Sequence, residues 1–161
     1  MCGLTLPRAA APPEVLVAAA YVEDGDQVLI VRGVDSGDPS RTYWSLPAGV
    51  VESGELLHEA LARELREETS LVAEGLGEVL YVVCAELTEG HRTVVIVQRV
   101  ERWSGALHVA DPDGQVHEAA FVARPEAIAR AAAIPWPAMR DPLVACLSAG
   151  RPPASLWCYR G

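Results

Sequence analysis

The chain has 161 residues, half of them hydrophobic, and 22 acidic side chains outweigh 13 basic ones for a net charge of −9. That length and apolar content suit one domain with a core of its own and exclude a chain disordered throughout. With no basic run to neutralise phosphates, a nucleic-acid polymer is not an expected direct partner. A small phosphorylated ligand remains compatible with an acidic protein when cations stand between the two sets of charges.

Residues 1–14 are rich in Ala and Pro and lack the charge-then-apolar order of a signal peptide; they read as a flexible segment ahead of a domain at 15–149. Residues 15–22 and 27–32 read as strands joined by Glu23-Asp24-Gly25-Asp26, with Asp-Gly as the turn signal. The apolar run at 15–22 is too short to span a bilayer, so no membrane association is expected. Residues 33–41 read as a polar loop, and 44–46 as a short strand running into Gly49. Residues 55–69 contain no Gly or Pro and are rich in Leu, Ala, Glu and Arg, which predicts a helix. Residues 79–87 and 93–101, rich in Val, predict a hairpin around Glu89-Gly90. Asp111 to Gly114 reads as a turn and 117–122 as a strand. Residues 124–133 and 138–148 read as helices separated by Pro135-Trp136-Pro137. Arg151-Pro152-Pro153 lies in a tail, 150–161, that need not be ordered. Strands flanked by helices predict an α/β sandwich, and no internal repeat is present.

Cys2, Cys84, Cys146 and Cys158 are widely spaced, with no metal-type pair. Cys84 and Cys146 lie in apolar runs and read as buried thiols. This usage suits a reduced, cytoplasmic compartment.

The predicted helix carries the chemistry. At about 100° per residue, Leu57, Leu61 and Leu65 form one stripe with Ala60 at its edge. Glu64 and Glu68, four residues apart, fall between Ala60 and Leu61 on that same face, and Glu67 lies on its flank. His58, Glu59, Ala62 and Arg66 point away. A charged helix ordinarily presents such residues to water, but Glu64 and Glu68 share the direction of the leucines. Like charges four apart repel, and three acids near a helix C-terminus oppose its dipole. A divalent cation relieves both problems, and hard oxygen ligands suit Mg²⁺, with Mn²⁺ as an alternative.

Residues 49–71 resemble the Nudix box of the Nudix hydrolases. That pattern is Gly, five residues, Glu, seven residues, then Arg-Glu-U-x-Glu-Glu-x-Gly-U, with U a large aliphatic residue. Gly49, Glu55, Arg63, Glu64, Leu65, Glu67, Glu68 and Leu71 stand in register, and Ser70 replaces the last Gly. Residues 43–48, Tyr-Trp-Ser-Leu-Pro-Ala, resemble the family's Trp-x-Leu-Pro-Gly-Gly approach, with Ala48 replacing its first Gly. The resemblance implies an α/β/α sandwich with a mixed sheet. It also implies Mg²⁺-dependent hydrolysis of a nucleoside diphosphate linked to another moiety, giving a nucleoside monophosphate and a phosphorylated product. It makes Glu64 and Glu68 the principal metal ligands, Glu67 an auxiliary one and the Ala48 carbonyl a further one. It pairs Arg63 with Glu55 to brace loop against helix. Ser70 falls where the family's Gly ends the helix, at a cost of about 1 kcal/mol for a left-handed residue.

Glu118, just before Phe121, matches an acidic residue that serves in the family as ligand or general base. His117 and Glu52 are weaker candidates for the base, and Asp111 and Asp113 suit the turn. Arg32 and Arg41 could reach phosphates through paired donors. Trp44, Tyr43, Trp103 and Trp136 could stack a base or fill the core. The partner implied is a small nucleotide diphosphate, and the family is often dimeric. Two other readings compete. One is a catalytically silent nucleotide-binding or regulatory protein, which the intact box glutamates argue against. The other is an isopentenyl diphosphate isomerase, for which Cys84 is the only mid-chain thiol. Substrate markers of the family, a Pro for ADP-ribose or a Tyr for dinucleoside polyphosphates, do not choose. After Leu71 no Pro occurs before Pro112, and the only Tyr in that interval is Tyr81, close to the box.

Overall fold

The structure, a computed structural model, describes residues 14–35, 37–88, 90–150 and 154–160. In chain order its elements are β1 (Glu14–Asp24), β2 (Gln27–Asp35), β3 (Asp38–Ser45), β4 (Ala48–Val50), α1 (Leu57–Thr69), β5 (Val72–Thr88), β6 (His91–Ser104), β7 (Val116–Ala123), α2 (Arg124–Ala132), α3 (Pro137–Ala149) and β8 (Ser155–Arg160). Among the described residues the strands run β3-β2-β1-β6-β5-β8, with β4 also paired to β1 and β7 to β2. β1/β6 and β5/β8 are parallel and the other pairs antiparallel, so the sheet is mixed.

The alternation of β1 sorts the core into two layers. Ala19 and Tyr21 face one way and pack with Ala127, Ala131, Leu143 and Leu147 of α2 and α3. Ala18, Ala20 and Val22 face the other way and pack with Ala60, Leu61 and Leu65 of α1. The period of two in the strand meets the stripe of the helix, which gives the expected α/β/α layering. Among the described residues no helix is long and apolar enough to cross a membrane.

Three segments differ from the sequence reading. Residues expected as a loop at 33–41 contribute to β2 and β3, which pair Val34 with Thr42 and Gly33 with Tyr43. β3 is an edge strand, and an edge tolerates the polar residues and Pro39 that made this stretch look like a loop. The hairpin strands β5 and β6 begin earlier and end later than expected. The stretch Ala73-Glu74-Gly75-Leu76-Gly77 has low strand propensity, but register shifts accommodate it. The C-terminal segment, expected as a tail, supplies β8, which runs parallel to β5 and turns Trp157 and Tyr159 toward the α3-side core. Cys146 is buried as expected, whereas Cys84 is only partly so.

Candidate active site

The loop before α1 and the helix itself are tied by one arginine. Arg63 Nε and Nη2 donate to the two oxygens of Glu55 at 2.8 and 3.0 Å. Its Nη1 donates to Glu64 at 2.7 Å and Glu67 at 3.1 Å, and Nη2 also reaches the Val50 carbonyl at 3.0 Å. The expected Arg63–Glu55 brace is therefore present and two-pronged. It also explains why α1 starts at Leu57 rather than 55: Glu55 is held outside the helix, where its Oε2 accepts the Glu52 amide at 3.0 Å. Arg63 and this amide hold the Glu55 carboxyl down at about 2.

Gly49 meets a steric demand rather than a conformational one. A Cβ there would stand 1.9 Å from the Glu64 carboxyl carbon. Ser70 adopts φ 61°, left-handed as its position in the box requires, and its amide closes the helix on Arg66 at 2.8 Å. Its hydroxyl donates to the His108 carbonyl at 2.8 Å, a bond that glycine could not make. The His108 amide returns one to the Thr69 carbonyl at 3.0 Å, so the helix end pins the segment leading to Asp111.

Glu68 is the most enclosed acid, 8% exposed, and its Oε2 accepts the Ala48 amide at 3.0 Å. Burial pushes its carboxyl up to about 8; the Ala48 amide opposes that rise, and the charges of Glu64, Asp111 and Glu67 add to it. Burial also raises Glu64, against the pull of Arg63. Glu55, Glu64 and Glu67 thus share one guanidinium, while Glu68 has only the Ala48 amide. A hard divalent cation fits this donor set: all the groups are oxygens, and the most buried carboxyl lacks a countercharge. Among the described residues no three acids, imidazoles or thiols already stand grouped for a metal. Glu64 and Glu67 are turned to Arg63, and Glu68 to the Ala48 amide. Binding a cation therefore requires Glu64 and Glu67 to exchange part of Arg63 for it.

The remaining candidates fall into separate groups. Arg32 and Glu118 are cross-strand partners on β2 and β7, and Arg32 Nε donates to Glu118 Oε2 at 3.1 Å. Two residues singled out for different tasks thus bond to each other. His117 and Glu52 are exposed. Asp111 holds its turn, accepting the amides of Asp113 at 3.1 Å and Val116 at 2.8 Å and that of Gln115 as well. Its charge nevertheless reaches Glu68, which no sequence spacing could indicate.

A cleft of about 410 Å³ lies between the sheet and α3, lined by Ala48, Tyr43, Leu46, Tyr81, Trp136 and Met139 among others. Tyr43 and Trp136 meet edge-on at its wall, 5.1 Å between centroids. Asp35 also lines it and pairs with Arg41 at 3.8 Å. Trp44 is placed elsewhere: the Arg130 guanidinium covers its ring at 4.1 Å. Trp103 stacks on Phe121 in the α1-side core.

A mixed sheet between helix layers, with a braced cluster of carboxylates joined through the Ala48 amide to a residue of an apolar cleft, defines an α/β protein of the helix-sheet-helix class. The NUDIX domain profile matches residues 13–142, and the chain belongs to that family. It is 35% identical over 80 residues to an RNA pyrophosphohydrolase of Novosphingobium aromaticivorans, an overlap of 50% of this chain and 45% of that protein. It is 37% identical over 59 residues to the mouse 8-oxo-dGDP phosphatase NUDT18 (Mus musculus), 37% of this chain and 18% of that one. The chain thus spans less than half the length of either relative. The solution structure of the E. coli ORF135 protein superposes with a TM-score of 0.70 at 23% identity, covering 89% of this chain and 94% of that one. That likeness is one of fold.

Proposed function

We propose that the protein is a Mg²⁺-dependent pyrophosphohydrolase that splits a nucleoside diphosphate linked to a further moiety into a nucleoside monophosphate and a phosphorylated product. The observation that carries this is Ala48, which both lines the cleft and donates its amide to Glu68. Glu68 is therefore bonded to the backbone of a residue that lines the cleft. Glu64, Glu67 and Glu68, with the Ala48 carbonyl, would hold the cation. When bound, Mg²⁺ (or Mn²⁺) neutralises diphosphate oxygens and makes water more acidic. Arg63 and Glu55 fix the loop against the helix so that the acids keep their places. Glu118 accepts a proton from the attacking water, aimed by its bond to Arg32. Asp111 suits that task less, because its oxygens are committed to backbone amides.

The cleft volume is that of a small-molecule site, and its apolar lining with Tyr43 and Trp136 suits a base or similar flat group. Arg41, paired with the cleft residue Asp35, is the arginine we assign to a phosphate; Arg32 is engaged by Glu118. An enzyme acting on a small nucleotide is the reading these features support; the cytoplasmic setting rests on the cysteine usage and a homodimer on the family resemblance. The relatives' names cover a nucleoside diphosphate and an RNA, so substrate choice rests on a panel. Nucleoside triphosphates, 8-oxo-dGDP, ADP-ribose, nucleotide sugars, dinucleoside polyphosphates and a 5′-triphosphorylated RNA would be incubated with Mg²⁺ and the products separated. Turnover of a small nucleotide supports the proposal. Calorimetric binding without any turnover would favour the catalytically silent reading instead.

A further inference from the structure

Cys84 and Cys158 take no part in the site described above. They stand on β5 and β8 as register partners across a parallel ladder. Partners on adjacent strands direct their side chains to the same face, with backbones about 4.8 Å apart. That spacing lies within the Cα separations of about 4.4–6.8 Å that a disulfide accepts. Both thiols are free, Cys158 exposed and Cys84 partly so. Cys146 differs: it is buried, and burial pushes its thiol up to about 11. Among the described residues β8 pairs only with β5, so it is an edge strand held by a single ladder. The pair also has a defined relation to the cleft. Val83 and Ala85, on either side of Cys84, line the cleft, while Cys84 points to the opposite face.

We propose that Cys84 and Cys158 form a reversible dithiol–disulfide pair that clasps the edge strand to β5 behind the cleft floor, oxidised by a low-molecular-weight disulfide of the glutathione type. The more accessible Cys158 thiolate attacks one sulfur of the oxidant and expels one thiolate, leaving a mixed disulfide. The Cys84 thiolate then attacks Cys158 Sγ and expels the second. The two protein thiols are oxidised to one disulfide, the oxidant is reduced to two thiols, and the two protons pass to the released thiolates. An exposed bridge of this kind is open to reduction by the reverse exchange.

The test uses the full chain, treated with oxidised glutathione, quenched by alkylation and analysed by intact mass and unreduced peptide mapping. The expected product has lost two hydrogens and joins the Cys84 and Cys158 peptides, and dithiothreitol reverses it. Cys146 should stay reduced and resist alkylation until the protein is denatured. In Cys84→Ser the reaction should stop at a stable glutathione adduct on Cys158. In Cys158→Ser, glutathionylation of Cys84 should be at least tenfold slower than that of Cys158 in the wild type. A stable adduct on Cys158 in the wild type, a bridge from Cys158 to any thiol other than Cys84, or no reaction at Cys158 would each overturn the proposal.

Discussion

A carboxyl that is 8% exposed and surrounded by other carboxylates has two routes to stability: it keeps a proton or it gains a cation. Glu68 is such a group, and the choice between the routes is measurable. Its folded-state value of about 8 lies above the ordinary 4.5, so the unfolded chain releases the proton first as pH rises. Its contribution to the stability of the metal-free protein is therefore fully present below about 4.5 and is lost progressively up to about 8. Thermal melts in chelator should show Tm falling across that window. Glu68→Gln should flatten the slope, and saturating Mg²⁺ should raise the wild-type Tm most at the alkaline end. A wild-type Tm that rises with pH across this window would reject the assignment. Gly49 belongs to the same local problem, because only a residue without a Cβ leaves room for the Glu64 carboxyl.

At the scale of the element, α1 shows how a departure from a family pattern is absorbed. Ser70 carries the left-handed backbone that glycine adopts freely, and its hydroxyl bond to the His108 carbonyl offsets that cost. Ser70→Ala keeps the strain and loses the bond, so urea unfolding should show a loss of about 1 kcal/mol. Ser70→Gly loses both and should lie closer to wild type. The helix itself was legible: its stripe, its inward acids and the Arg63–Glu55 brace all followed from spacing or resemblance. What lay beyond sequence was set across strands. Nothing local to Arg32 or Glu118 shows that they are opposite one another in β2 and β7. Nothing near Trp44 shows that Arg130 covers it. The first part of β3 and all of β8 escape the sequence for a related reason: edge strands need only one pairing partner, and so carry polar or interrupted sequence that reads as loop.

At the scale of the molecule, the cleft depends on how α2 and α3 are held to the sheet. Glu23 at the end of β1 is the fastener. It accepts from Arg99, which is 5% exposed, and from Arg124 of α2, as well as from the Tyr21 hydroxyl at 2.9 Å. Arg124 also donates to the Leu147 carbonyl of α3 at 3.3 Å. Removing the acid leaves two guanidinium groups facing each other with their common partner gone. Glu23→Gln should cost about 3 kcal/mol in denaturant unfolding, the scale for breaking a largely enclosed pair. A change below 0.5 kcal/mol would mean that apolar packing alone holds the helices.

The central claim joins two features that meet at Ala48, the acids of α1 and the cleft. The most direct measurement is turnover of the best substrate of the panel by wild type and Glu68→Gln at saturating Mg²⁺, followed by ³¹P NMR, with folding of the variant checked by its Tm. The account predicts a nucleoside monophosphate as product, no turnover in chelator, and kcat at least 100-fold lower in a folded Glu68→Gln, a loss of about 2.7 kcal/mol in transition-state stabilisation. Wild-type turnover that survives chelation, or a Glu68→Gln variant that turns over as fast as wild type, would contradict it.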